Sequence, residues 1–559
     1  MLGIMTTLPL PMYRTIFGTL ICLASIILFW PADAGAGETS PWLRAMGGAG
    51  IDEGFDLAVD GMGNVYLTGS FNVAAADFDP GAGMFELTPI GAGSDAFVVK
   101  LDSDGNFVWA KQLGGADANV TAYAIATDST GNVYVTGEFD SFFGTVDFDP
   151  GAGTLELSSD GRDVFVVKLD PNGDLLWAHN VGDSGEDKGK DITVDAEGVV
   201  YVTGHFQFIT DFDPDPEAES SRTSAGLLDI FVWRLSSDGD FIGVRTMGGL
   251  ENDRGTGIAV DSSGNIYATG SFRGTADFDP GQDTFEITAA GGSDIFVTKL
   301  NASGTLVWVS PMGGTSDDGM ATDENGPSVT VDDSGNVYAT GSFEDSADFD
   351  PTAGSFTLMS NGNQDIFITK LDSDGNLVWA KGIGGTGDDE GLGIDLDSVG
   401  NVYTTGGFRV TADFDPGAGV FELTAEDSRS VFISKLNNDG EFIAARGTTG
   451  SGSDFGEGIV LDSDDNIHIG GRFNDELTVG LGTTTVSAVS SIDIFALKLP
   501  SIDTVPEDIN HDGVVNAVDV QLVINGALGI PTKFETDVNG DMTTNAVDVQ
   551  LVINAALGL

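Results

Sequence analysis

The chain is poor in cysteine, histidine and positive charge. Of its 559 residues one is cysteine, Cys22, and four are histidine: His179, His205, His468 and His511. Cys22 lies in an apolar N-terminal stretch, so the rest of the chain has no disulfide and must be stabilised by packing and by any metal it binds. The histidines stand at non-equivalent points, and none falls in a nucleophile or metal motif. They read as structural, and no catalytic residue is assigned. Lys and Arg number 23 against 87 Asp and Glu, for a net charge of −64. Binding to nucleic acid or an anionic membrane depends on positive charge, so neither is expected as a partner. The excess of carboxylates fits solubility in a saline exterior and an affinity for divalent cations. At any single position, a solvated turn carboxylate is the plainer reading.

The N-terminus carries an export signature. Arg14 precedes an apolar run, Ile16–Trp30, and Ala32-Asp33-Ala34 suits a signal peptidase. The run is shorter than the ~20 residues a spanning helix needs. Residues 1–36 are therefore expected to be a signal peptide, with a membrane anchor as the alternative, and the protein to be extracellular or cell-surface associated.

What the chain has in abundance is repetition. A stretch such as Gly257–Gly314 recurs seven times, marked by Tyr66, Tyr134, Tyr201, Tyr267, Tyr338 and Tyr403, with His468 in the seventh copy, at intervals of 65 to 71 residues. A fixed period of that length signals a repeat architecture. Each copy reads as two hairpins, in the type copy Gly257–Asp261 with Asn265–Phe272 and Asp294–Leu300 with Leu306–Met312. Both faces of these strands are apolar and no helices are available to cover them, so sheets must stack on sheets around an axis. The expected fold over 37–499 is an all-β seven-bladed β-propeller. Trp42–Gly48 matches Trp109–Gly115, the last strand of a blade, and the seventh copy stops at Asp493–Leu499 without that strand. The N-terminal strand is therefore expected to complete the last blade and remove both free edges.

Two ends of the blades differ in this reading. The a–b and c–d turns are short, as in Asp261-Ser-Ser-Gly-Asn265, and resemble fragments of calcium loops without the full ligand set. The opposite end carries acidic, glycine-rich d–a connections and a b–c insertion marked Asp-Phe-Asp-Pro at Asp77–Pro80, Asp147–Pro150, Asp211–Pro214, Asp277–Pro280, Asp348–Pro351 and Asp413–Pro416. The insertion reads as an extra hairpin that lengthens the blade, or else a cation site, and the seventh copy lacks it. A binding rim is expected at this loop-rich end. The segments Gly-Asn-Val-Tyr-x-Thr-Gly-x-Phe and Asp-[Ile/Val/Ala]-Phe-[Val/Ile]-x-Lys-Leu resemble the seven-bladed β-propeller repeat family of secreted bacterial proteins, over about Trp42–Leu499. The resemblance implies a fold and little about function.

After a proline-containing linker, 500–507, a second period of 29 residues spans 508–559. Ca²⁺ takes six to eight oxygens, and a twelve-residue loop supplies them from positions 1, 3, 5, 7, 9 and 12. In the first copy these are Asp508, Asn510, Asp512, the Val514 carbonyl, Asn516 and Asp519. In the second they are Asp537, Asn539, Asp541, the Thr543 carbonyl, Asn545 and Asp548. Gly513 sits at the sharp turn of the first loop. Met542 replaces it in the second, where a positive φ disfavours a side chain, so the second site is expected to be the weaker. Each loop leads into one predicted amphipathic helix, with Val520, Val523, Ile524, Ala527 and Leu528 on one face of the first and Val549, Val552, Ile553, Ala556 and Leu557 repeating it. In a module this small, binding two Ca²⁺ ions is largely folding energy.

The tandem loops resemble a type I dockerin over about Asp508–Leu557, which implies a small α-helical calcium-binding domain that docks onto a cohesin-type partner in an extracellular assembly. By that resemblance Ala517, Val518, Ala546 and Val547 read the partner. Many dockerins carry hydroxyl residues there, and the match between the two copies implies two possible docking orientations. The functional expectation is a secreted, non-catalytic binding or scaffold protein, its acidic rim open to polysaccharide or a surface protein. The alternatives are a polysaccharide-degrading enzyme of the glycoside hydrolase class carrying a dockerin, and a purely structural surface protein.

Overall fold

The computed structural model describes residues 41–502 apart from 142–143, 320–325, 353, 426–427, 480–483 and 490. The expected signal peptide and the expected calcium module therefore lie outside the described residues. Among those described, every regular element is a β-strand, and no helix is long and apolar enough to cross a membrane.

Each repeat forms one four-stranded antiparallel meander, with strands named a to d. Sheet 1 comprises Asp52–Val59, Val65–Asn72, Ser94–Leu101 and Phe107–Leu113. Sheet 2 comprises Asn119–Thr127, Val133–Asp140, Asp163–Leu169 and Leu175–Val181. Sheet 3 runs Lys188–Val194, Val200–Asp211, Ser221–Leu235 and Phe241–Gly249. Sheet 4 runs Arg254–Val260, Ile266–Asp277, Glu286–Leu300 and Leu306–Gly314. Sheet 5 contains Ser328–Val331, Val337–Asp348, Thr357–Leu371 and Leu377–Gly385. Sheet 6 contains Glu390–Leu396, Val402–Phe408, Ser430–Leu436 and Phe442–Gly447. Sheet 7 takes Phe455–Leu461, Ile467–Phe473 and Asp493–Leu499, and its fourth strand is Trp42–Gly48, with Trp42 opposite Lys498 and Met46 opposite Ile494.

The two-sided apolar pattern has its reason in the core. Strands b and c are buried on both faces, as in Val65–Phe71 and Asp163–Leu169, and the clusters they form each draw on two neighbouring sheets, such as Tyr267 of sheet 4 with Phe343 and Phe367 of sheet 5. The glycine of each Thr-Gly-x-Phe segment makes room for this packing. A Cβ at Gly270 would lie 1.9 Å from the Arg254 carbonyl oxygen and 3.0 Å from the Phe296 ring, so only glycine lets strands a, b and that ring approach.

The Asp-Phe-Asp-Pro insertion does more than lengthen its own blade. In sheets 3, 4 and 5 strands b and c run on into it as single strands of 12 and 15 residues. Its Ala-Asp pair also hydrogen-bonds to strand d of the preceding sheet: Asp277 and Ala276 with Gly248 and Gly249, Asp348 and Ala347 with Gly313 and Gly314, Asp413 and Ala412 with Gly384 and Gly385. Asp77 and Ala76 do the same with Gly47 and Gly48 of the N-terminal strand. The phenylalanine is the anchor, since Phe278 is fully buried between Phe272 and Phe296 at 5.2 and 5.1 Å. The seventh copy departs from expectation here. It lacks the marker yet has a hairpin, Glu476–Val479 with Thr484–Ser487, pairing with Thr449–Ser451. Its fully buried Leu477 gives the hairpin an apolar anchor of its own.

Candidate functional site

The turn end of the sheets is a repeated hydrogen-bonding unit. Asp60 opens the a–b turn of sheet 1. Its Oδ1 accepts from the Met62 and Asn64 backbone amides, and its Oδ2 from Asn64 Nδ2 and the Tyr66 hydroxyl. Asp128, Asp261 and Asp332 repeat the arrangement with Tyr134, Tyr267 and Tyr338. Burial opposes ionisation at Asp128, but the donors from Thr130 and Asn132 outweigh it and hold the carboxyl down at about 2. In sheet 7 His468 replaces the tyrosine, its Nε2 3.0 Å from Asp462 Oδ2. Both oxygens of these carboxylates are engaged by the protein, so the turns that resemble calcium-loop fragments act as turns. In the insertion marker one oxygen is engaged: Asp77 Oδ1 accepts from the Asp79 and Phe85 amides and holds the turn between them. Among the described residues no group of three or more His, Cys, Asp or Glu side chains is arranged to hold a metal.

At the loop end, buried aspartates hold the d–a connections. Asp253 is inaccessible, its Oδ2 accepting from Gly249 N and its Oδ1 from Arg273 N. Asp318 and Asp389 repeat both bonds. Burial pushes Asp253 up to about 7, against the opposing effect of the two amides. Burial likewise raises Asp52, Asp187, Asp318 and Asp454 to about 7. Aspartates at the start of strand c lie beside them: Asp229, Asp294 and Asp493 are raised to about 6 by burial.

The first strands line a small axial cavity of ≈ 140 Å³. Asp56 and Asp191 stand there, with Asp395 as their counterpart in sheet 6; all three are partly buried, and burial raises Asp56 to about 8, Asp191 to about 7 and Asp395 to about 6. Each accepts one backbone amide from its own strand and one from the next sheet: Ile125 to Asp56, Ile258 to Asp191, Leu461 to Asp395. Both oxygens of each are thus used in joining sheets.

Around the loop-end mouth of this axis the copies stop agreeing. The residue before the strand-b phenylalanine is Ser70, Glu138, His205, Ser271, Ser342, Gly407 and Arg472 in turn. Opposite it in register stand Glu53, Lys188, Arg254, Glu390 and Phe455 in sheets 1, 3, 4, 6 and 7. Where six copies begin strand c with aspartate, sheet 6 has Ser430, preceded by Arg429. These residues form ion pairs: Arg429 Nη1 to Glu390 Oε1 at 2.6 Å, Arg472 Nη1 to Glu53 Oε1 at 2.5 Å and Arg472 Nε to Glu457 Oε1 at 3.1 Å. Phe455 lies between the Arg429 and Arg472 guanidiniums, 4.5 and 4.8 Å from its ring centroid. A cleft of ≈ 660 Å³ opens over this group.

All sixteen residues assigned from the sequence, the ligands at 508–548 and Ala517, Val518, Ala546 and Val547, lie outside the described residues. The mouth group is absent from that assignment. Its signal was available as disagreement between copies at fixed repeat positions, but which positions face the mouth depends on strand register and bulges.

Comparison with known proteins bears on both regions. Residues 108–138 and 243–271 match the family model for the beta-propeller repeat, and 506–557 match that for the dockerin type I domain. An uncharacterised WD repeat-containing protein of Acanthamoeba polyphaga mimivirus is 24% identical over 501 residues, covering 78% of this chain and 36% of that protein. The regulatory protein FlaEY of Caulobacter vibrioides is 25% identical over 347 residues, covering 59% and 34%. The chain thus spans about a third of the length of these relatives. Among solved structures, Sqt1 from Chaetomium thermophilum aligns over 82% of this chain and 100% of its own at 9% identity, with a TM-score of 0.37. Type I dockerins as a family bind calcium and dock onto cohesins. Between the all-β meanders and these matches, the chain carries beta-propeller repeats followed by a type I dockerin domain at 506–557.

Proposed function

We propose that the protein is a secreted, non-catalytic binding component in which a seven-bladed propeller is tethered by its dockerin domain, through two Ca²⁺ ions, to a cohesin-type partner of an extracellular assembly. The match at 506–557 carries this reading. The twelve oxygen-bearing positions from Asp508 to Asp548 supply the ion sites, with the second weakened by Met542, and Ala517, Val518, Ala546 and Val547 face the cohesin.

Ring closure is supported by the N-terminal strand, which pairs within sheet 7 while touching sheet 1. Trp42 Nε1 donates to the Ser103 carbonyl, 3.2 Å away. Other strand-d tryptophans make the same bond to the next sheet: Trp109 to Pro171, Trp177 to Ser237, Trp308 to Ser373 and Trp379 to Asn438.

The test is calorimetric. The full chain is titrated with a cohesin panel in calcium and again in EDTA, alongside Asp508→Ala/Asp537→Ala. Tight binding in calcium that disappears with EDTA and in the double variant is expected. Failure of every cohesin to bind in calcium would remove the tether from the proposal.

A further inference from the structure

We infer that the cleft between sheets 5, 6 and 7 binds an uncharged, multiply hydroxylated ligand, an oligosaccharide. The inference deepens the binding-rim reading above and rests on it. Scaffold positions in a repeat protein are filled alike in each copy, because each copy solves the same packing problem. At the cleft that uniformity fails: sheet 6 has Arg429-Ser430 where its neighbours begin strand c with aspartate, and sheet 7 has Arg472 and Phe455. The cleft is lined by polar groups with little apolar surface beside Phe455, which disfavours a greasy ligand.

Charge decides between the polar ligands that remain. In a chain of net −64, this cleft gathers Arg409, Arg429 and Arg472 against Glu344, Asp345, Asp388 and Glu390. An anion is repelled by the surrounding field, since steering follows the summed charge. A cation meets carboxylates that are already engaged: Glu390 by Arg429, Asp388 Oδ2 by Arg409 Nη1 at 3.7 Å, Glu344 by the Gln364 amide and Asp345 by the Ser316 hydroxyl. A neutral ligand rich in hydroxyls suffers neither penalty. It requires donors and acceptors at close spacing, and they are present as linked planar groups. Gln364 Nε2 donates to Glu344 Oε1 at 3.1 Å, and Asn363 Nδ2 donates to Asp388 Oδ1 at 2.9 Å. Each carboxylate keeps acceptor capacity and each amide keeps an oxygen, so adjacent hydroxyls can be met in pairs. The stack of Arg429, Phe455 and Arg472 fixes the floor, so little ordering is needed on binding.

The experiment uses the full chain. Cellohexaose, mannohexaose and xylohexaose are titrated calorimetrically at up to millimolar concentration, with a galacturonate hexamer as the charged comparison. At least one neutral hexamer is expected to bind and the galacturonate hexamer to bind less well. Arg409→Ala and Gln364→Ala should each weaken binding by about ten-fold, the effect of losing one or two hydrogen bonds, with melting curves unchanged. Arg162→Ala, in a separate cleft between sheets 2 and 3, should leave binding intact. The inference is overturned if no neutral hexamer binds, if only galacturonate binds, or if Arg409→Ala and Gln364→Ala bind as the parent does. Sugar binding lost in Arg162→Ala and kept in Arg409→Ala would leave a binding rim standing and move it elsewhere. Cohesin docking is measured on the same samples, so the tether stands or falls separately.

Discussion

The two ends of the sheets handle carboxylates in opposite ways. At the turn end, Asp128 and Asp462 are surrounded by amide and hydroxyl donors and held at about 2, ionised and partly solvated. At the loop end, Asp253 and Asp318 receive two amides each but are wholly buried, and burial raises them to about 7. The turn end repeats almost without variation, while the loop end combines an aspartate layer, broken at Asn119 in sheet 2 and Ser430 in sheet 6, with a variable mouth. The comparison teaches that most copies keep the residues that pin turns and loop connections, and that variation concentrates at the mouth.

The strongest way to break this comparison is to change pH. For the loop-end aspartates the folded pKa of about 7 exceeds the unfolded value of 3.8. Their protonated form is the one the fold favours, so their contribution is fully present below pH 3.8 and is lost as pH rises through about 7. The turn-end aspartates act in the other sense, contributing above 3.8 and losing that contribution as pH falls through about 2. Because many loop-end carboxylates titrate together, the melting temperature of a variant ending at residue 502 is expected to be higher at pH 5 than at pH 8. Asp253→Asn should flatten part of that slope. A melting temperature that climbs from pH 5 to pH 8 would contradict the raised pKa of the loop-end aspartates.

Next in size is the anchor of the insertion. Phe414 is fully buried against Phe408 and Phe432, so Phe414→Ala should cost about 3 kcal/mol in denaturant unfolding. A loss under about 1 kcal/mol would show the hairpin to be a passive extension. At the turn end, Tyr267→Phe removes the hydroxyl donated to Asp261 at 3.0 Å. A bond to an ionised partner is worth about 1.5 kcal/mol, and the same substitution should matter equally at Tyr134. Unequal losses would weaken the case for one repeated unit.

The smallest effect sharpens the picture of the variable end. Val73, Phe208, Asp345, Val410 and Asp475 stand two residues after the strand-b phenylalanine with φ between 50° and 67°, where the fourth copy has Gly274. A side chain in this left-handed region costs about 1–2 kcal/mol, and glycine recovers part of that while loosening the unfolded chain. Val410 is exposed, so Val410→Gly should stabilise by about 0.5 kcal/mol. A destabilised variant would mean that the exposed side chain is held by a contact of its own.

Much of the sheet scaffold was legible because its causes are local and recur. The Gly-Asn-Val-Tyr turn needs an aspartate, a glycine and a tyrosine at fixed offsets, and six copies spell them out. The likeness of Trp42–Gly48 to Trp109–Gly115 pointed to a strand d without a meander of its own, and that strand lies beside Asp493–Leu499. The hairpin of the seventh copy was not legible, because Leu477 anchors it without the Asp-Phe-Asp-Pro marker. Nor was the bridging of each insertion to the preceding sheet, which joins Asp277 to Gly248 across a chain turn that no short window contains.

By itself, then, the sequence determined the repeat, the strand chemistry and the presence of a dockerin type I module at 506–557, since these depend on residue type at short, fixed spacing. Only the tertiary structure decided that Arg409, Arg429, Phe455 and Arg472 share one cleft, that Asp56 reaches Ile125, and that burial raises the loop-end aspartates to about 6 to 7. Those outcomes depend on strand register, on bulges that choose which face a side chain takes, and on burial between sheets, none of which is written at any single position.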